Sequence, residues 1–290
     1  MNGIIVVDKP QGMTSHDVVS FLRRKTGVKR IGHSGTLDPM ATGVLPVFIG
    51  KATRIIEYAS KPDDMEAKLY RCTMKLGIST DTQDIWGTVT AESELLPDAH
   101  IIEKVLKSFE GSGKQKPPMY SAVKIDGRKL YEYARKNEEV TISEREIYIK
   151  HIEVNEIDLV SREARFDVLC SKGVYIRAIC ADAGRILGCG AVMSGLVRLK
   201  SDGFSIDNAV SIDALNEHAL PRLLPVDEPL SWLPKVEVDE TEAAGFAHGK
   251  TIKTTEKNAP TGIVRVYSKD TFLGIGTQTD LGIKPKKVLV

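Results

Sequence analysis

The stretch "GHSGTLDPMATGVLP", residues 32–46, places one aspartate, Asp38, between glycine-containing bends and follows it directly with Pro39. Asp-Pro is a common start of a turn, so Asp38 by itself predicts only an Asx-type turn. The letters "GHSGT" resemble the nucleophile elbow of serine hydrolases, but Thr36 stands where that motif requires its second glycine. A glycosidase needs two carboxylates about 5 to 10 Å apart, and the acid nearest in sequence, Glu57, lies beyond a predicted turn. The role of Asp38 therefore depends on the sequence around it.

The composition is that of a folded chain in an aqueous compartment. The chain has 290 residues, of which 42% are apolar and 27% are charged. This length is sufficient for one large domain and one small domain. No apolar run approaches the roughly 20 residues of a membrane-spanning helix, and "MNGIIVVDKPQG" lacks a basic leader followed by an apolar segment. We expect a cytoplasmic protein without membrane contact.

The cysteines and histidines do not have the spacing of a metal site. The four cysteines show no CxxC pair and lie in apolar or helical contexts, which favours reduced core thiols. The six histidines are scattered, with no HExxH pair. We therefore expect no metal and a mechanism that uses side chains alone.

Basic residues are clustered although the net charge is only +1. Residues 18–37 contain five basic residues and no acid, and residues 111–137 contain seven against two acids. A charge run is usually a solvated face. Two such clusters near one candidate site favour a polyanionic partner such as a phosphate backbone.

The N-terminal half shows both strand and helix patterns. "GIIVV" is typical of a short apolar strand, and Thr14 with Asp17 forms a capping-box pattern that starts a helix ending at Gly27. A second helix is predicted to begin near Asp98 and to end at Gly111, because an apolar stripe runs through Ile101, Ile102, Val105, Leu106 and Phe109.

Two alternating segments predict strands that carry polar side chains of interest. In "KLYRCTMKLG", residues 68–77, every second residue from Tyr70 is apolar, so Tyr70 is expected to point inward. The strand "ARFDVLC", residues 164–170, leads into a Ser-Lys-Gly turn that opens a helix. Tyr175 and Arg177 lie in the first turn of that helix.

Two further segments differ from these elements. Residues 111–137 combine glycine, paired prolines, bases and tyrosines, which predicts an extended excursion and a short helix, an insertion that reaches to about residue 147. A proline-rich boundary at residues 223–234 precedes three short strand patterns, "GIVRVYS", "FLGIGT" and "KKVLV". These strands favour a small C-terminal β-barrel.

Several separated motifs, in order, resemble the bacterial TruB-type tRNA pseudouridine synthases, which isomerise uridine 55 of the T-loop. The motifs are "DKPQGMTSHDVV" (8–19), "GHSGTLDPMATGVLPVFIGKATR" (32–54), "KLYRCTMKLGISTDTQDIWG" (68–87), "PPMYSAVKIDGRKLYEYAR" (117–135) and "SKGVYIRAICADAGRILGCGA" (171–191). The Asp38 loop is the most specific of them. The C-terminal strands resemble the small RNA-binding PUA domain.

The resemblance implies an α+β fold with a mixed, largely antiparallel sheet flanked by helices. Residues 1–231 would form the catalytic domain, which includes the insertion, and residues 232–290 the PUA-like domain. The protein would be an isomerase that flips the target uridine out of the RNA and needs no cofactor. Its partner would be the T-arm stem-loop of tRNA, recognised by a monomer without a guide RNA, because guide-dependent relatives lack the basic, tyrosine-rich insertion.

The resemblance also implies roles for single residues. Asp38 would be the nucleophile, at C1′ or C6 of the target uridine, and Arg177 would pair with it and keep it ionised. Tyr70 would stack on the uracil and move the C5 proton. His33 would enter the T-loop of the RNA near the space that the flipped nucleotides leave. The other substrate contacts would come from the uracil-site residues Tyr175 and Leu196 and from the basic residues Lys124, Arg128 and Lys129 of the insertion.

One alternative of a different class stays open at this stage. A non-catalytic RNA-binding or RNA-folding protein could use the same surface as a clamp. Such a protein is expected to lose Asp38 first, and Asp38 is present together with Tyr70 and Arg177. The enzyme interpretation is therefore favoured.

Overall fold

The computed structural model describes residues 1–62, 64–136, 138–253 and 260–290. The strands in these ranges are β1 (Gly3–Lys9), β2 (Ile31–His33), β3 (Thr42–Ile49), β4 (Lys68–Leu76), β5 (Ile78–Thr80), β6 (Val89–Glu92), β7 (Gly111–Gln115), β8 (Lys124–Ile125), β9 (Arg128–Lys129), β10 (Arg145–Asp158), β11 (Glu163–Cys170), β12 (Ala191–Ser201), β13 (Phe204–Ser205), β14 (Val210–Ser211), β15 (Lys235–Glu237), β16 (Gly262–Ser268), β17 (Thr271–Thr279) and β18 (Gly282–Val288). The α-helices there are α1 (Ser15–Thr26), α2 (Ala99–Lys107), α3 (Leu130–Ala134), α4 (Ile176–Leu187), α5 (Ile212–Glu217) and α6 (Glu240–Ala247). None of these helices is long and apolar enough to cross a membrane.

The large sheet is mixed and mainly antiparallel, as the sequence predicts. Its order is β14-β1-β3-β12-β4-β11-β10-β7, with β2 paired to β3 and β13 to β12. Only the β1–β14 and β3–β12 pairs in the described sheet are parallel. The parallel β3–β12 pair joins the strand that follows the Asp38 loop to the strand that carries Leu196.

Strand β4 lies inside this sheet, between β12 and β11. Its burial alternates, with Tyr70, Cys72, Met74 and Leu76 buried and Arg71 exposed. The inward orientation predicted for Tyr70 is therefore confirmed. These side chains join the core cluster that includes Ile179 and Cys180 of α4, so the sheet and α4 share one packed interface.

Helix α1 has both predicted ends. The Thr14 side chain accepts a hydrogen bond from the Asp17 backbone N–H, the Asp17 carboxylate accepts one from the Thr14 N–H, and Gly27 closes the helix at φ 70°. Glycine suits that left-handed position because it has no Cβ. The first helical residue, Ser15, accepts a hydrogen bond from Leu37 N at 2.8 Å, so a well-capped helix holds the loop that carries Asp38.

Helix α2 is shorter than predicted. It ends at Lys107, and Gly111 begins strand β7 instead of ending the helix. Ile101 is 40% exposed, whereas Ile102 and Leu106 are fully buried. Adjacent helical positions differ by about 100° in direction, and the sheet covers only the face that Ile102 and Leu106 share.

The insertion is also shorter than the predicted 111–147 range. Residues Gly111–Gln115 form β7, the edge strand paired with the start of β10, so the excursion covers residues 116–144. Its residue Asn137 lies outside the described residues. A glycine-rich strand with polar side chains is tolerated at a sheet edge, where one side needs no packing partner.

The C-terminal segment is a small separate sheet with the order β15-β16-β17-β18. The three predicted strand patterns correspond to β16, β17 and β18. Phe246 of α6 is fully buried in the core of this sheet. The pairing among its described strands is that of an open sheet, where the sequence predicts a barrel. Arg54 Nη1, in the 3-10 helix Gly50–Tyr58 that follows β3, donates to Val288 O at 2.5 Å and so connects the small sheet to the larger domain.

Candidate active site

The loop between β2 and β3 presents Asp38 to a cavity. The Ala41 N–H donates to Asp38 O at 3.0 Å, and the Gly12 N–H donates to Pro39 O at 2.8 Å. These bonds fix the backbone on both sides of the aspartate. The carboxyl group remains 37% exposed, so it is held in place and open to a ligand.

Arg177 pairs with this carboxyl group, as the family resemblance implies. Its Nε lies 3.0 Å from Asp38 Oδ2, and its side chain is 4% exposed. The other nitrogens donate to Thr82 O at 3.0 Å and to Tyr120 O at 2.9 Å, and Nη1 lies 3.5 Å from Asp84 Oδ2. The guanidinium is thus held from three further sides and has one orientation toward Asp38.

The pKa of Asp38 shifts in the direction opposite to the one that its arginine partner alone would produce. Burial raises its pKa above the usual value, Arg177 acts to lower it, and the nearby Asp84 carboxylate acts to raise it again. The net direction is upward. Arg177 therefore offsets only part of the cost of placing a carboxylate in this cavity.

Asp84 is a site residue that the sequence analysis missed. It is buried, and its Oδ1 accepts hydrogen bonds from the Thr82 hydroxyl and from the Trp86 N–H. With Asp38 it gives Arg177 two carboxylate neighbours. The polar sequence around it, "STDTQDIWG", is typical of a surface turn. Nothing in this local sequence indicates that Arg177, from a distant helix, lies next to Asp84.

Tyr70 lines the same cavity as Asp38. Burial raises the pKa of Tyr70, and the cation of Arg198 opposes that shift. Arg198 is 1% exposed. It donates to Val44 O at 2.7 Å and to Gly35 O at 3.1 Å. Arg198 therefore connects the Asp38 loop to the tyrosine strand. Arg198 is a site residue absent from the sequence-based prediction, although an arginine at a core-facing position of a strand was the available signal.

Lys9 is the third missed residue. Its side chain is fully buried, and Nζ donates to Met13 O at 2.7 Å and to Pro10 O at 2.9 Å. A longer contact of 3.5 Å reaches Pro39 O, next to Asp38. Burial lowers the pKa of Lys9 to about 8, with the Asp38 charge acting in the opposite direction. Lys9 therefore stabilises the backbone of the Asp38 loop on the side of Pro39.

A buried ion pair joins three segments around the site. Lys68 Nζ lies 2.8 Å from Asp202 Oδ2. The same carboxylate accepts hydrogen bonds from Ser34 at 2.8 Å and from Ser60. Burial acts to raise the pKa of Asp202, but Lys68 and the two hydroxyls hold it below the usual value. The pair thus links the loop before Asp38 to the strand that carries Tyr70.

The cavity formed by these elements has a volume of about 450 Å³. It brings together five predicted site residues, Asp38, Tyr70, Tyr175, Arg177 and Leu196. Tyr175 is the N-cap residue of α4, and its N–H donates to Gln115 Oε1 at 2.7 Å. Helix α4 thereby carries Tyr175 and Arg177 into the cavity lining, where Arg177 contacts Asp38.

The other predicted residues lie elsewhere. His33 ends β2 and does not line the cavity; burial lowers its pKa, with Arg198 contributing. The β8–β9 hairpin carries Lys124, Arg128 and Lys129 away from the cavity lining. Arg128 pairs with Glu138 at 2.9 Å and lies over the Tyr133 ring. Of the insertion residues that the structure describes, 121–123 are the ones that form part of the cavity wall.

The described residues contain no group of three or more His, Cys, Asp and Glu side chains that could hold a metal ion. All four cysteines are buried and free. Cys72 and Cys180 lie 3.6 Å apart between β4 and α4. Burial raises the pKa of Cys72 well above its usual value, so this thiol is a packing residue.

The fold and the cavity, with its aspartate–arginine pair and inward tyrosine, define a pseudouridine synthase class of structure. Two solved assemblies match it: a Cbf5-Nop10-Gar1 complex, with TM-score 0.71 and 27% identity over 99% of this chain and 85% of that one, and an H/ACA RNP bound to a substrate RNA containing 2′-deoxyuridine, with TM-score 0.69 and 25% identity over 99% and 85%.

The family follows from sequence models and relatives. Residues 23–176 match the TruB family pseudouridylate synthase N-terminal domain, 177–231 the tRNA pseudouridylate synthase B C-terminal domain, and 234–289 the pseudouridine synthase II TruB C-terminal model. The tRNA pseudouridine synthase B of Alkaliphilus oremlandii is 44% identical over 95% of this chain and 93% of that one, and that of Clostridium tetani is 42% identical over the full length of both. The chain belongs to the TruB family of pseudouridylate synthases and is an isomerase.

Proposed function

We propose that this enzyme converts uridine 55 in the T-loop of tRNA to pseudouridine, with Asp38 as the nucleophile. The observation that carries the proposal is the Asp38 carboxylate, which Arg177 holds at 3.0 Å on the wall of a cavity that Tyr70 and Leu196 also line. The names of the relatives, tRNA pseudouridine synthase B, support tRNA as the substrate.

The chemistry requires one nucleophile and one proton transfer. The N1–C1′ bond breaks, the uracil turns, and a C5–C1′ bond forms; the proton leaves C5 and N1 gains one, so no atom is lost. Arg177 binds Oδ2 of Asp38, which leaves Oδ1 for attack at C1′ or C6. Covalent catalysis of this kind divides a difficult exchange into two easier steps.

The cavity walls supply the remaining functions. Tyr70 stacks on the flipped uracil and is placed to move the C5 proton, and Tyr175 and Leu196 close the apolar sides. Flipping a base costs a few kcal/mol, and stacking on an aromatic side chain returns roughly 1–3 kcal/mol. His33, at the end of β2, enters the RNA loop beside the space that the flipped base leaves.

RNA affinity comes from surfaces outside the cavity. The insertion contributes Lys124, Arg128 and Lys129, and the C-terminal sheet acts as a PUA-like RNA-binding domain. The enzyme works as a cytoplasmic monomer without a guide RNA or a cofactor. The support for guide-independent recognition is the insertion itself, which supplies a basic surface next to the residues that wall the cavity.

One assay tests this function. Purified protein is incubated with an unmodified T-arm stem-loop, without guide RNA or other proteins, and pseudouridine is mapped by chemical derivatisation and primer extension. The expected result is a single pseudouridine at the position of uridine 55. RNA binding without any product would favour the non-catalytic clamp instead.

A further inference from the structure

The insertion contributes a buried serine hydroxyl to the active-site cavity. Ser121 lines the cavity and is 6% exposed. Its Oγ is buried, and in the part of the chain that the structure describes no polar group lies within hydrogen-bond distance of it. A buried hydroxyl without a hydrogen bond costs free energy, and such groups are rare in folded proteins. The hydroxyl of Ser121 is therefore a candidate for contact with a ligand.

The backbone around Ser121 is fixed on both sides. The carbonyl oxygen of Tyr120 accepts a hydrogen bond from Arg177 Nη2 at 2.9 Å, and that of Ser121 accepts one from the Tyr131 N–H at 3.1 Å. The same arginine holds Asp38, so the serine has a defined position relative to the proposed nucleophile. A serine side chain has one torsion with three staggered positions, and its hydroxyl can turn toward the cavity without movement of the backbone.

Several other polar side chains of the cavity lining already have partners inside the protein. The hydroxyl groups of Ser34 and Ser60 donate to the Asp202 carboxylate. Lys68 forms an ion pair with the same carboxylate. Ser121 differs from these residues because its hydroxyl is left for a ligand.

Uracil offers a hydroxyl donor two acceptors, the carbonyl oxygens O2 and O4. During the isomerisation the base turns so that C5 takes the place of N1. A half-turn about the axis through N3 and C6 has this result, and it exchanges O2 and O4 as well. A donor beside one carbonyl oxygen of uridine therefore lies beside the other carbonyl oxygen of pseudouridine.

We propose that the Ser121 hydroxyl turns into the cavity and donates a hydrogen bond to a carbonyl oxygen of the flipped uracil, and that it keeps this contact with the exchanged oxygen after the base has turned. The inference rests on the proposed function, which supplies the uracil. It adds Ser121 to the residues that bind the target base and gives the insertion a contact inside the cavity.

A binding cycle between protein and RNA tests the contact without turnover. The D38N protein and the double variant S121A/D38N are titrated with T-arm stem-loops that carry uridine, 2-thiouridine or 4-thiouridine at the target position. S121A should weaken binding of the uridine RNA about five-fold, the scale of one hydrogen bond. With one of the two thio RNAs the loss should be clearly smaller, because sulfur is a weaker acceptor than oxygen.

The exposed Ser143 provides the matched control. It belongs to the same insertion and does not line the cavity, so S143A should leave the affinity for all three RNAs unchanged. If S121A lowers the affinity for the three RNAs by the same factor, or does not lower it at all, the hydroxyl binds neither carbonyl oxygen and the inference fails.

The product RNA tests whether the contact persists after the turn. S121A should weaken binding of the stem-loop with pseudouridine at the target position by about the same factor as binding of the uridine RNA. A loss confined to the uridine RNA would contradict the retained contact. Absence of pseudouridine in the activity assay with wild type would instead overturn the proposed function, and the binding cycle would still give its own result.

The stability of the free protein is an independent check. Because the hydroxyl has no hydrogen-bond partner among the described residues, S121A should unfold at the same temperature as wild type or at a higher one. A clear fall in the melting temperature of S121A, or failure of this variant to fold, would show that the hydroxyl supports the structure of the free protein and would overturn the inference.

Discussion

Arg177 Nε lies 3.0 Å from Asp38 Oδ2, yet burial still raises the pKa of that carboxyl above its usual value. Burial and the arginine cation therefore act in opposite directions on the pKa of Asp38. The Asp38 carboxylate is partly exposed in the cavity, and one cation, itself shared with Asp84, offsets part of the upward shift of its pKa. The consequences for pH dependence follow from this balance.

Replacing Arg177 by methionine removes the cation that lowers the pKa of Asp38. The ionised carboxylate is the reactive form, so activity rises with pH through that pKa. In R177M the acidic limb should move to higher pH, and kcat at neutral pH should fall at least about 100-fold, the scale of removing an electrostatic partner. Single-turnover rates from about pH 5 to 9 measure both effects. An unshifted acidic limb would contradict the assignment.

Asp202 should make stability depend on pH. Its folded pKa lies below the unfolded value, so its contribution is present above the unfolded pKa, about 3.9, and is lost as pH falls through the folded pKa. D202N removes that contribution, and Asn suits the left-handed φ of 53° at this position. Urea unfolding should show that the free energies of unfolding of wild type and D202N differ more at pH 7 than at pH 3. Equal differences at the two pH values would contradict the buried pair.

Lys9 should titrate far below an ordinary lysine. The pKa of about 8 means that the unfolded chain binds more protons between about pH 8 and 10.4, so this group makes stability rise with pH over that window. Carbon-13 NMR of labelled lysine methylenes, assigned with K9M, measures the pKa directly. A value near 10 would show that the amine is hydrated.

The insertion cations should differ from one another in RNA binding. Arg128 is held by Glu138 and the Tyr133 ring, so it must give up a partner to contact phosphate, whereas Lys124 is exposed. K124A should lower the salt slope by about 0.9 on the duplex stem, and R128A by less. Salt titrations of tRNA affinity measure both, with K150A as a control because Lys150 is paired with Glu66. A larger effect for R128A would show that the Glu138 pair opens on binding.

The sequence was sufficient where a feature is local. The capping box at Thr14, the glycine stop at Gly27 and the alternation that buries Tyr70 each depend on a few neighbouring residues, and all three are confirmed. The predicted end of α2 was wrong because Gly111 belongs to an edge strand whose partner, β10, lies some thirty residues further on. Strand pairing of that range has no local signature.

The site residues also divide into those with a local sequence signal and those that only the tertiary structure brings together. The motifs located Asp38, Tyr70 and Arg177, and the structure brings them into one cavity. Lys9, Asp84 and Arg198 were missed because their burial results from the packing of distant segments: Arg198 bonds the carbonyl groups of Gly35 and Val44, more than 150 residues away. A charged residue in a sequence suggests solvent until the tertiary fold shows what surrounds it.

The most direct test of the nucleophile is the comparison of product formation and RNA affinity in D38N. The substitution keeps the size of the side chain and removes the attacking carboxylate. A nucleophile contributes little to ground-state binding, so affinity for the T-arm stem-loop should stay within a few-fold of wild type while pseudouridine formation disappears. Turnover of D38N within tenfold of wild type would contradict the central claim.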